Sequence, residues 1–206
     1  GIAKQEITES ELVLINRQSL KELTADEVFT FKIAACNNVV DRDDERFTDA
    51  SLEKLAQLYI GKPIISDHKW SAALQTARIY AGEVEPMPGG IGKQLTLRAY
   101  MLKNASTQPT IDAIEGGILR EVSVGCRTAK AVCNICGTDK RKQCCPHWPG
   151  NEYDGTKCYV DLDDATDAYE VSFVAVPAQP AAGVTKAYGG EENPTGGKLE
   201  DDKKAE

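Results

Sequence analysis

Five of the seven cysteines in this chain stand between positions 133 and 158: Cys133, Cys136, Cys144, Cys145 and Cys158. Disulfides would suit a small secreted scaffold. Here the rest of the chain has enough apolar sequence to build a core without staples. The N-terminus also lacks the charged-then-apolar pattern of an export signal, so reduced thiols holding a metal are expected. Cys133-x-x-Cys136-Gly137 has the form of a zinc knuckle, two thiolates at the ends of a tight turn. Cys144-Cys145-Pro146-His147 then offers a third thiolate and an imidazole. Tetrahedral zinc takes four such donors in short-spaced pairs, which predicts the set Cys133, Cys136, Cys145 and His147. Cys144 is an alternative to Cys145, and Cys158 to His147. With every coordination place filled by protein, the zinc would be structural, pinning a loop-rich segment packed by Trp148, Tyr153 and Tyr159.

Around that segment the sequence is mostly β. Val28 to Cys36 alternates and reads as a strand. Thr48 or Asp49 can cap a helix whose Leu52, Leu55, Leu58 and Tyr59 share a face, and Gly61 and Pro63 end it. A short strand over Pro63-Ile64-Ile65 leads into Ser66-Asp67-His68. Ala77 to Val84 and Gln94 to Leu102 form a hairpin across a Pro- and Gly-rich turn. A second helix runs from about Thr107 to Glu115. Ile118 to Lys130 and Tyr169 to Val176 are the last strands. This order predicts an α+β, mostly β fold, a barrel or curled sheet flanked by helices, with the zinc knuckle as an insertion at 131–160. Residues 1–188 would form one domain. From Gly189 to Glu206 the chain is Gly-, Glu- and Lys-rich, and a disordered acidic tail is expected.

The formal net charge of −8 disfavours nucleic-acid binding, because duplex phosphates repel an acidic surface. The one basic cluster, Lys140-Arg141-Lys142, lies inside the cysteine segment. No apolar run is long enough for a membrane-spanning helix, so no membrane partner is expected.

Only two histidines are present. His147 stands at ligand spacing, which leaves His68 as the free imidazole and the default base for any serine chemistry. Composition does not choose among the serines. In Arg120-Glu121-Val122-Ser123-Val124-Gly125-Cys126, alternation puts Val122, Val124 and Cys126 on one face. Ser123 projects from the other, beside a glycine that leaves room for a substrate backbone. Ser172 has the same local sequence but precedes Phe173-Val174-Ala175-Val176 and reads as more buried.

Three blocks in this order resemble the prohead (capsid maturation) proteases of tailed phages, relatives of the herpesvirus assembly protease. They are Gly61-Lys62-Pro63-Ile64-Ile65-Ser66-Asp67-His68, Glu121-Val122-Ser123-Val124-Gly125, and Tyr169-Glu170-Val171-Ser172-Phe173-Val174-Ala175-Val176-Pro177-Ala178. The resemblance implies a herpesvirus-protease-like fold with Ser123 as nucleophile, His68 as general base and Glu170 as the group that orients His68. Asp67 is the rival third member, Ser172 a supporting polar neighbour of Glu170, and Glu121 a further polar contact on the face of Ser123. Cys126 departs from the aromatic residue usual at its position, and the cysteine insertion marks a minority subtype. The implied activity is cleavage of scaffold and major capsid precursor proteins, and of the chain itself, inside the assembling prohead in the host cytoplasm. Homo-oligomer formation is a further option. The rival expectation is a zinc-stabilised virion structural or scaffolding protein that keeps the fold without activity.

Overall fold

A computed structural model describes residues 7–185 of the chain. The tail expected at 189–206 lies outside the described residues. The helices are α1 (Glu9–Asn16), α2 (Asp49–Leu58) and α3 (Gln108–Glu115). The long strands are β1 (Val28–Asn37), β4 (Ala77–Pro86), β5 (Lys93–Leu102), β6 (Val122–Cys133) and β9 (Val160–Phe173). Shorter ones are β2 (Glu45–Phe47), β3 (Pro63–Ser66), β7 (Glu152–Tyr153), β8 (Thr156–Lys157) and β10 (Gly183–Thr185).

Eight strands form one mixed sheet in the order β10-β1-β5-β4-β3-β9-β2, with β6 also on β9. β9 organises the functional end. One edge pairs antiparallel with β6 from Val122↔Phe173 to Cys133↔Val160. The other edge takes β3 in parallel at Ile64↔Val171 and β2 in parallel at Glu45↔Val160. The sheet is open and does not close into a barrel. The start of β6 meets β10 at an isolated Glu121↔Gly183 bridge, supported by Val184 N–H donating to the Arg120 carbonyl at 2.6 Å and Val122 N–H to the Ala182 carbonyl at 3.4 Å.

Local chemistry explains most elements. Thr48 caps α2, its hydroxyl accepting from Ser51 N–H at 3.2 Å. The helix buries Leu52, Leu55, Ala56 and the following Tyr59 against Ile33, Leu95, Leu97, Val122, Val171 and Phe173. Gly82 on β4 permits this approach, since a Cβ there would lie 2.5 Å from the Ala56 carbonyl oxygen. α1 packs on the other face of the sheet, where Ile15, Leu23, Val28, Tyr80 and Tyr100 form a second cluster.

Two differences from the sequence-based expectation have physical causes. α1 is a third helix, weakly amphipathic but fixed by a Thr8–Glu11 capping box. β9 begins nine residues before Tyr169. Its acidic first half is held by Arg46 to Asp161 at 2.7 Å, Thr48 to Asp163 at 2.8 Å and Lys54 to Asp164 at 2.5 Å. His68 follows β3, in a turn.

Candidate functional site

β3 ends at Ser66, and Asp67 N–H still donates to the Phe173 carbonyl on β9 at 3.0 Å. The chain then reverses. Asp67 and His68 take φ of 54° and 51°, and Lys69 N–H returns to the Ser66 carbonyl at 3.1 Å. Two consecutive residues at positive φ define a type I′ turn, which costs non-glycine residues about 1–2 kcal/mol each. Contacts with β9 hold it. His68 N–H donates to Ser172 Oγ at 3.0 Å, and His68 Nδ1 lies 2.7 Å from Glu170 Oε1. Ser172 Oγ–H donates to Glu170 Oε2 at 2.6 Å. Ser172 thus ties the strained backbone of His68 to the carboxylate that faces its ring. Backbone strain held in place by surrounding bonds is a frequent mark of a functional site.

Glu170 is 3% exposed, so its carboxylate is almost dry. The His68 side chain is 44% exposed. A carboxylate only accepts, so Nδ1 carries the shared proton and the neutral ring keeps its lone pair on Nε2. Nε2 has no hydrogen-bond partner among the described residues.

Room for Glu170 comes from β6. Gly125 sits opposite Glu170 in the ladder, and a Cβ at Gly125 would come within 2.3 Å of Oε1. Ser123 sits opposite Ser172, two residues away on the same face. Ser123 is half-buried and its Oγ makes no hydrogen bond among the described residues, to His68 included. The structure therefore joins His68, Glu170 and Ser172 directly and sets Ser123 as their cross-strand neighbour.

The other residues singled out in the sequence lie apart from this contact. Asp67 is exposed and faces Lys69 at 3.6 Å, and Glu121 contributes through its backbone bridge. Cys126 is packed under the sheet, where burial pushes its thiol up to about 11. Tyr59 reaches the same spot, its hydroxyl donating to the Gly125 carbonyl at 3.0 Å. Local sequence gave no signal for a bulge at Tyr169: Gly125 pairs with Glu170 but Cys126 pairs with Ala168, leaving Tyr169 as the extra residue. Its ring meets that of Trp70 at 5.5 Å.

The cysteine segment is the tip of the β6–β9 hairpin, entered at Cys133 and left before Val160. Gly137, at φ 72°, closes the knuckle turn by donating its N–H to the Cys133 carbonyl at 2.8 Å. The donor atoms of Cys133, Cys136, Cys145 and His147 all lie within 4.8 Å of one another, so this group could hold a metal ion. The chemistry fits. His147 Nδ1 is buried without a hydrogen-bond partner, an orphan a metal bond would satisfy. Contacts with Thr138 hold the Cys136 thiol down to about 6, close to the thiolate a metal needs. Lys140 Nζ donates to Cys145 Sγ at 3.3 Å, adding positive charge beside the sulfurs.

The support around these donors is local. The His147 ring packs edge-on against Tyr153 at 4.6 Å. The Tyr153 hydroxyl accepts from Trp148 N–H at 2.9 Å and donates to the Pro146 carbonyl at 3.3 Å. Of the alternative ligands, Cys144 is exposed outside the cluster, and Cys158 is buried with its Sγ 4.0 Å from that of Cys133.

Among the described residues, no helix is long and apolar enough to cross a membrane. No protein-family model, curated protein or solved structure matches this chain.

Proposed function

We propose that the chain is a serine endopeptidase of the prohead-maturation type, with a herpesvirus-protease-like fold, acting through Ser123, His68 and Glu170. The observation that carries this is the 2.7 Å contact between His68 Nδ1 and a buried Glu170 carboxylate, across the ladder from Ser123. The roles follow from the atoms. Glu170 fixes the ring orientation and balances the imidazolium that forms. His68 Nε2 takes the proton of Ser123 Oγ as that oxygen attacks a peptide carbonyl, then gives it to the leaving amine. Water, deprotonated by the same nitrogen, attacks the acyl-enzyme ester and releases Ser123. The substrates implied by the sequence blocks are scaffold and capsid precursors, together with the chain itself.

The metal is zinc in this proposal, bound by Cys133, Cys136, Cys145 and His147. With four protein donors it supplies folding energy to the hairpin tip and takes no part in catalysis.

The missing hydrogen bond at Ser123 Oγ favours a second reading, an inactive virion structural protein that keeps the fold. Catalytic contacts often tighten only once substrate is bound, so the gap does not decide against activity. Incubating the protein with scaffold and capsid precursors separates the two. Cleavage that disappears in Ser123→Ala, with the circular dichroism spectrum unchanged, supports the peptidase. Absence of cleavage in the wild type, or persistence in the variant, removes it.

A further inference from the structure

A pocket of about 410 Å³ lies between β9, at its Tyr169 bulge, and the loop after His68. Pro63, Ile65, Trp70, Ala72, Tyr169 and Glu170 line it. Glu170 is thus a wall of this pocket as well as the partner of His68, so the pocket borders the proposed triad. Ile65 is buried but belongs to neither core cluster; it forms apolar floor on the outer face of the sheet. Trp70, only two residues after His68, is 74% exposed and rests on Tyr169 alone among the aromatic rings.

The charged groups around the pocket are already matched. Lys62 faces Asp167 at 3.6 Å, and both oxygens of Glu170 are taken by His68 and Ser172. Gln75 accepts from Arg78 at 2.8 Å. A charged side chain entering here would lose water and find no free counter-charge. An apolar one would cover the exposed ring of Trp70 and gain from the apolar area removed from water.

We propose that this pocket is a substrate subsite taking an aromatic or branched aliphatic side chain of the peptide, close to the bond that is cut. It rests on the endopeptidase reading above and names the side-chain class that reading leaves open. Trp70 is its specificity-determining residue.

Two measurements test it, one independent of turnover. In Ser123→Ala, the Trp70 indole N–H resonance is followed by NMR, with Trp148→Phe to assign it. It is titrated with N-acetyl-phenylalanine amide, N-acetyl-leucine amide and N-acetyl-aspartate amide. The first two shift the resonance and the third does not. In the wild type, a fluorogenic peptide library is cut with preference for Phe or Leu at one position. Trp70→Ala lowers kcat/KM for the preferred peptides at least tenfold, the range set by one apolar contact, while Trp70→Phe keeps the preference. Selective shifts without any cleavage would retire the peptidase and leave an apolar-binding pocket. Cleavage with no apolar preference, a preference unchanged in Trp70→Ala, or no selective shift overturns the subsite.

Discussion

Glu170 and Cys133 belong to the two strands of one hairpin, Glu170 near its root and Cys133 at its tip, yet their surroundings are held in different ways. At the root, the His68 turn is fixed by hydrogen bonds to Ser172 and Glu170 on a strand flanked by β3 and β6. At the tip, β7 and β8 share a two-stranded sheet of their own, and four metal-type donors converge where few apolar side chains are buried. One region is preorganised by the ladder itself; at the other, a bound metal ion would tie the donors together. Function that needs fixed geometry belongs at the root, and removing metal should separate the two.

The largest expected effect is at the tip. Structural zinc contributes on the order of 10 kcal/mol to small metal-dependent folds at neutral pH. Metal removal by a chelator should therefore raise hydrogen exchange at Gly137 and Cys158, whose N–H groups are bonded inside the loop, by at least about a thousandfold. The amides of Val122 to Gly125 should keep their protection. Simultaneous loss of both would show that the regions are one cooperative unit.

Next in size is the root. Glu170→Gln removes the negative charge and turns one of the two acceptor oxygens into an NH2 donor, which no longer enforces the Nδ1–H tautomer; the comparable change costs roughly 10⁴ in kcat in known triads. Peptide cleavage should fall by about that factor with metal content unchanged. Gly125→Ala places a methyl against Oε1 and should lower stability by about 1–3 kcal/mol, or roughly 2–12 °C in Tm. It should also impair cleavage by moving Glu170, without releasing metal. Equal losses in both regions would contradict their independence.

The smallest effect compares two thiols. Cys136 is exposed, so once the metal is removed its sulfur is free to react and should alkylate readily. Cys126, pushed up to about 11, stays a protonated thiol until the pH approaches that value and should resist. Mass spectrometry after brief iodoacetamide treatment reads both sites at once.

How much was legible in the sequence follows the same division. The metal-type cluster could be read from spacing, because Cys-x-x-Cys and Cys-Pro-His hold their donors through local turns. β1, α2 and the β4–β5 hairpin were legible because caps, alternation and turn residues agree there. β2 and β10 were not, being three-residue strands defined by their partners. The first half of β9 was not legible as strand because its acidic residues are matched by partners distant in sequence. The His68–Glu170 contact joins residues far apart, and no periodicity pairs them; only the ordered resemblance of three blocks did. The Tyr169 bulge and the left-handed turn at His68 are products of tertiary pairing, and local sequence carried no signal for either.

Ser123 is proposed as an activated nucleophile with His68 as its base and Glu170 behind it. Reaction with a fluorophosphonate probe, followed by peptide mass mapping, tests this without any knowledge of the substrate. One stoichiometric adduct on Ser123 is expected in the wild type, strongly slowed in His68→Ala and Glu170→Gln and unaffected by Cys144→Ser. An adduct on another residue, or a Ser123 that stays unmodified while the protein remains folded, would contradict it.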